Sequence, residues 1–169
     1  MSPTARQSLG DRGESVVAKL IRCPGCKKSD RTFRLLPNNF KCADVVCDFC
    51  GYLAQVKTKS VKGAVPVECP RQFMGAAWGP QQERMLAGIY FSLYLVVESD
   101  SGAMGIWFLP RDLQTPEMFA ARKPLSPSAK RAGWQGFMID TSKATAPPVR
   151  YADGDVVEFR FGPTSGGSK

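Results

Sequence analysis

Six cysteines and no histidine set the chemistry open to this chain. Four of the cysteines form two pairs, Cys23-Pro-Gly-Cys26 and Cys47-Asp-Phe-Cys50, with 20 residues between them. Two cysteines three apart on a tight turn can aim both sulfurs at one ion. Two such turns complete a closed tetrahedral zinc site. Four thiolates leave no position for water, so this zinc is expected to be structural rather than catalytic. A redox pair would not need a second pair beside it. Cys42 and Cys69 lack partners at useful spacing and read as buried thiols. Without histidine, Ser-His and Cys-His arrangements are excluded. Any hydrolysis has to rest on carboxylates, lysine and a metal ion.

The carboxylate that stands out is Asp44, set in the apolar run Ala-Asp-Val-Val. A charge there needs a metal, a lysine or water as partner. The stretch Tyr52–Lys59 is predicted to be a strand. Alternation places Leu53, Gln55, Lys57 and Lys59 on one of its faces. Gln55 and Lys57 then point the same way, about 7 Å apart. An amphipathic strand with a solvated Gln-Lys face has the same pattern, so spacing alone leaves both readings open.

Several elements must position these groups. Asp11 to Ile21 is predicted to be a short helix with Val16, Val17, Leu20 and Ile21 on one side. Strands are predicted over Thr32–Leu36, Phe40–Val46, Ile89–Glu98, Met104–Leu109, Phe137–Asp140 and Asp155–Phe161. Ile89–Glu98 is the most apolar and belongs in the middle of a sheet. A helix containing residues 81–86 is predicted to begin near Phe73 or just after Pro80. Another starts at Thr115-Pro116. Residues 61–72 and 122–136 read as loops, the second one basic. Helices and strands interleave, which gives an α/β or α+β class around a mixed sheet. Residues 1–10 read as a flexible lead, 11–162 as one zinc-containing domain and 163–169 as a flexible tail.

A net charge of +8 favours a polyanionic partner, with nucleic acid ahead of an acidic membrane surface. The longest apolar stretch, residues 89–97, is too short to span a bilayer. The N-terminus lacks the apolar region of a secretion signal. A cytoplasmic location is therefore expected, where thiols stay reduced.

An acidic residue on one strand, followed by a triplet ending in lysine on the next, resembles the PD-(D/E)xK nuclease superfamily. Within it, the chain is similar to the catalytic domain of DpnI-like restriction endonucleases over roughly residues 14 to 160. The segments that carry this likeness are residues 38–50 (NNFKCADVVCDFC), residues 109–116 (LPRDLQTP) and residues 122–140 (RKPLSPSAKRAGWQGFMID), together with both cysteine pairs.

The resemblance implies a restriction-endonuclease-like mixed β-sheet flanked by helices, with the four-cysteine zinc site embedded in it. It implies a type II methyl-directed endonuclease that hydrolyses duplex DNA at GATC sites carrying N6-methyladenine. Asp44 falls on the first metal-binding aspartate and Lys57 on the catalytic lysine. Gln55 stands where those enzymes carry glutamate; its carbonyl can ligate magnesium but brings no charge. Mrr-like and MspJI-like nucleases resemble this Gln-x-Lys variant. Asp44, the Gln55 side chain and the Val56 carbonyl are thus the expected magnesium ligands, with Glu14 reaching the ion through water. The Cys47/Cys50 turn would pin the junction of the two active-site strands. Lys123, Lys130, Arg131 and Trp134 are the expected DNA contacts, though a tryptophan in such a loop more often packs it onto the core. The winged-helix domain of those enzymes is not part of this sequence. A non-catalytic zinc-ribbon module that binds DNA is the competing reading.

Overall fold

A computed structural model of the chain describes residues 4–28 and 30–151. Helix α1 (Ala5–Leu20) begins six residues before the predicted start, and so converts most of the expected loose lead into structure. Its start is fixed by a capping box. The Thr4 hydroxyl accepts from the Gln7 N–H at 3.2 Å, and the Gln7 side chain accepts from the Thr4 N–H at 2.8 Å. Gly13, Val16 and Val17 are its buried residues.

The strands are β1 (Phe33–Leu35), β2 (Val45–Cys47), β3 (Leu53–Val61), β4 (Gln72–Gly75), β5 (Ser92–Ser99), β6 (Met104–Leu109), β7 (Phe119–Ala121), β8 (Phe137–Asp140) and β9 (Val149–Arg150). Helix α2 (Trp78–Leu86) lies between β4 and β5. Six strands form one mixed sheet in the order β1-β2-β3-β5-β6-β9, in which β3 and β5 are parallel and the other neighbours antiparallel. A parallel pair needs a long crossover. Here the crossover carries β4 and α2. The fold is therefore α/β, with a mixed sheet flanked by two helices.

The sheet is buried on both faces. On β5, Tyr94 and Val96 join Val16, Val17, Ile21, Phe33, Val45 and Val56 in a core beneath α1. Leu93, Leu95 and Val97 face the opposite way, into a second core with Phe73, Trp107, Phe119, Phe137 and Ile139. A strand covered on both sides reads as an unbroken apolar run, which is why β5 was the easiest strand to place. The second core is roofed by a three-stranded antiparallel sheet, β4-β8-β7, that the sequence reading did not separate from the first.

Three local expectations change. The strand predicted over Phe40–Val46 shrinks to Val45–Cys47, because the chain turns through residues 38–42 and Cys42 takes a left-handed φ of 64°. The helix expected after Thr115 is a single 3-10 turn, Pro116–Met118. Met118 and Phe119 are then drawn into the second core, and β7 follows at once. The alternative start at Phe73 for the second helix gives way to strand β4. The strand predicted over 155–161 lies outside the described residues. Among the described residues no helix is long and apolar enough to cross a membrane.

The contact between α1 and β3 is close enough to exclude a side chain. A Cβ at Gly13 would lie 1.8 Å from the Thr58 hydroxyl oxygen and 2.9 Å from the Thr58 Cβ. The bidentate Arg12–Glu98 ion pair, with contacts of 2.8 and 2.9 Å, ties the same helix to β5. Gly13→Ala is therefore expected to force α1 away from the sheet and cost about 1–3 kcal/mol. Urea unfolding measures this cost, and Thr58→Ala in the same chain should recover part of it.

Candidate active site and cysteine cluster

The two cysteine turns meet at one end of the main sheet. Cys23 Sγ lies 3.6 Å from Cys50 Sγ, and Cys26 Sγ lies 3.8 Å from Cys47 Sγ. All four sulfurs fall within 4.8 Å of one another. Four sulfurs at about 2.3 Å from a central ion sit about 3.8 Å apart in a tetrahedron, so the spacing fits a four-thiolate ion of the zinc class. The turns are built for this approach. Gly51 takes a left-handed φ of 80° directly after Cys50. Burial works against charge on Cys47, but the Thr32 hydroxyl at 3.0 Å and the N–H groups of Cys50 and Phe49 outweigh it. They draw the Cys47 thiol down to about 6, where it is a ready anionic ligand.

Asp44 lies at the other end of the short strand β2. Its N–H bonds the Ala54 carbonyl at 2.9 Å, after which the partner strand leaves β3. The Asp44 carboxylate then does what a backbone carbonyl would have done, accepting the Val56 N–H through Oδ2 at 2.7 Å. The N–H and C=O of one strand residue point toward the same neighbour. The Val56 carbonyl therefore faces the edge where Asp44 sits. Glu14, the residue after the Gly13 contact, shares a cavity with Asp44, close enough for the two carboxyls to influence each other's protonation.

These groups line a cavity of about 590 Å³, together with Arg6, Lys57, Lys59, Gln72, Met74, Ala76 and Met138. Burial, then the charge of Asp44, raises the Glu14 carboxyl to about 7. Asp44 is also raised, by burial, against the opposing pull of Lys57 and of the Val56 N–H. Two crowded carboxylates and a strand carbonyl make an oxygen donor set that suits a hard divalent cation.

Of the residues singled out in the sequence, Asp44, Glu14, Val56 and Lys57 line one cavity. Gln55 does not line it. Its side chain is 5% exposed, one residue before Val56, with its amide nitrogen 3.5 Å from the Gln81 oxygen on α2. Lys57 lies over the Phe137 ring, 5.6 Å from its centroid, which orients its stem toward the second sheet. Lys123, Lys130, Arg131 and Trp134 are outside the cavity lining, on the exposed loop between β7 and β8. Trp134 is 39% exposed and stacks under the Arg131 guanidinium at 4.0 Å, so it belongs to neither core.

Arg6 and the wall made by Met74, Ala76 and Met138 were not foreseen. The Thr4-x-x-Gln7 capping pattern was the signal that would have placed Arg6 on a helix. Nothing in the local sequence announces the wall, which depends on the pairing of β4 with β8.

The fold and site together define a mixed α/β domain with a four-cysteine cluster and a carboxylate-lysine cavity. The model of the DpnI Dam-replacing family matches residues 5–150, and the chain belongs to that family. It is a restriction-type DNA endonuclease by family, with DNA as its substrate class.

Two outcomes follow from the geometry. Metal analysis should find about one thiophilic ion per chain, and Cys47→Ser should release it and lower the melting temperature. For Glu14, the folded-state value of about 7 lies above the ordinary 4.5, so the folded state holds the proton more tightly. In buffer without magnesium its contribution to stability is full below 4.5 and is lost as the pH rises to about 7. Melting curves of wild type and Glu14→Gln, compared across that window, should show wild type losing stability relative to the variant.

Proposed function

We propose that the protein is a magnesium-dependent endonuclease that hydrolyses phosphodiester bonds in duplex DNA at N6-methyladenine-containing GATC sites, with a structural zinc in the cysteine cluster. The observation that carries the catalytic reading is the convergence of Asp44, Glu14, the Val56 backbone and Lys57 on one cavity. The family supports DNA as the substrate.

In this reading Asp44 and the Val56 carbonyl would hold the magnesium, whereas Gln55, turned to Gln81 and absent from the cavity lining, supplies no ligand as it stands. When bound, magnesium there would offset the charge that grows on the scissile phosphate and lower the pKa of a bound water. Lys57 Nζ, on the cavity wall, donates to the attacking water or to a phosphate oxygen and holds it in line. Glu14 takes a proton at its carboxylate near neutral pH. Arg6 and Lys59 at the cavity supply cations for the flanking phosphates. The loop with Lys123, Lys130 and Arg131 extends that contact, and the exposed Trp134 offers a ring for stacking against a base.

The test uses GATC-containing plasmid from adenine-methylating and non-methylating hosts, incubated with zinc-loaded protein and magnesium. The expected result is fragmentation of the methylated plasmid alone. Asp44→Ala and Lys57→Ala should each slow cleavage by about a hundredfold or more. Cleavage blind to methylation would keep the nuclease and remove the specificity. Binding without cleavage, unchanged in Asp44→Ala, would instead establish a non-catalytic zinc module.

A further inference from the structure

Arg12, Lys28, Arg34, Arg71 and Arg111 each close an ion pair with a nearby carboxylate. Lys41 and Arg84 do not, among the described residues, although they line one open cleft of about 370 Å³ with Pro80, Glu83, Ala87 and Ile89. Lys41 is exposed and Arg84 half-buried. Arg84 Nη1 donates to the Pro80 carbonyl at 3.1 Å, one turn back on α2. That bond holds the guanidinium in place and leaves its remaining N–H groups for an anion. Two cations face the single carboxylate of Glu83, so the cleft carries a net positive charge.

The cleft adjoins the active-site cavity. Lys41 lies three residues before Asp44, on the turn that leads into β2. Arg84 lies one helical turn after Gln81, whose side chain meets Gln55 beside Val56. The half-buried Cys42 thiol shows how close these groups come. Burial raises it, Arg84, Lys57 and Lys41 pull it down, and Asp44 adds to the rise. One side chain is therefore within electrostatic reach of both cleft cations, of Asp44 and of Lys57. Strand register gives the direction. β3 and β5 run parallel, from Ala54 beside Ser92 to Val61 beside Ser99. Ile89 of the cleft precedes Ser92, so the cleft lies toward the start of this pair. The cavity reaches Lys59 and Ser60, toward its end. Asp44, bonded to the Val56 N–H, lies between the two.

A backbone phosphate offers charged oxygens that a guanidinium and an ammonium take up by charge-assisted hydrogen bonds. We propose that Lys41 and Arg84 form a second phosphate-binding cleft, which holds the cut DNA strand on the side of Asp44 opposite to Arg6 and Lys59. This rests on the nuclease reading above. It adds a path for the strand: from the Lys41–Arg84 cleft, over Asp44, into the cavity.

The experiment measures binding of a short methylated GATC duplex to zinc-loaded protein in magnesium-free buffer over a range of salt, with the cut mapped on the same duplex in magnesium. Lys41→Gln with Arg84→Gln should weaken binding about tenfold and lower the log–log salt slope by about one, whereas Arg84→Lys should keep the slope. The decisive comparison uses duplexes carrying one uncharged methylphosphonate at successive positions on either side of the cut. At one position on one side, the methylphosphonate should cost wild type about tenfold and the double variant less than about twofold, because the charges that met that phosphate are already gone. On the other side its cost should persist in that variant and vanish in Arg6→Gln with Lys59→Gln. A merely structural role for Arg84 would lower the melting temperature and leave the salt slope and every methylphosphonate cost unchanged. That result, or coupling of both cation pairs to the same side of the cut, overturns the inference while leaving the nuclease intact. Wild-type protein that binds the duplex without cutting it removes the nuclease reading and this strand path with it.

Discussion

Asp44 accepts the Val56 N–H at the point where β2 parts from β3, and the site is organised around that bond. A strand that loses its neighbour leaves amides unpaired, and a buried unpaired amide is costly. Here a carboxylate replaces the missing strand. In doing so it is pulled into a half-buried position beside the Val56 carbonyl, Lys57 and Glu14. One interaction therefore satisfies the backbone and concentrates negative charge where a cation is useful. The charge comes at a cost: both carboxyls are held above their ordinary range by burial, Glu14 to about 7.

Two devices keep the bond in place. The cysteine cluster pins the far end of β2, three residues beyond Asp44, so the strand cannot slip against β3 without breaking the sulfur tetrahedron. At the near side, Gly13 lets α1 lie directly on Thr58, which brings Glu14 to Asp44. The zinc-type cluster thus acts as a strut for the active-site strands, while the helix contact delivers the second carboxylate. Both fix distances between the groups that line the cavity, which is how a small domain of short strands holds a precise site.

The two faces of β3 share the work. Ala54 and Val56 pack into the core under α1, whereas Gln55, Lys57 and Lys59 turn toward α2 and the second sheet. The cavity opens at the seam between them, walled by Met74, Ala76 and Met138. The basic β7–β8 loop springs from the same second sheet that forms this wall. That sheet thereby links the residues expected to meet flanking DNA with the cavity where the chemistry is proposed.

Much of this was legible in the residues themselves. The cysteine spacing dictated the cluster, because tetrahedral thiolate geometry is local to each turn. The isolated Asp44 and the Gln55–Lys57 face followed from burial cost and strand alternation. The unbroken apolar run of β5 announced a central strand. The sequence was silent where distance along the chain hides proximity in space. The second sheet exists because residues 72–75 and 119–121 both pair with residues 137–140. The start of α1, though signalled by its capping box, matters only because the helix lands on β3. The buried Gln55–Gln81 contact joins positions 26 residues apart. Local pattern sets which face of a strand or helix is apolar; only the packing of those faces against one another decides which polar groups are shut in together.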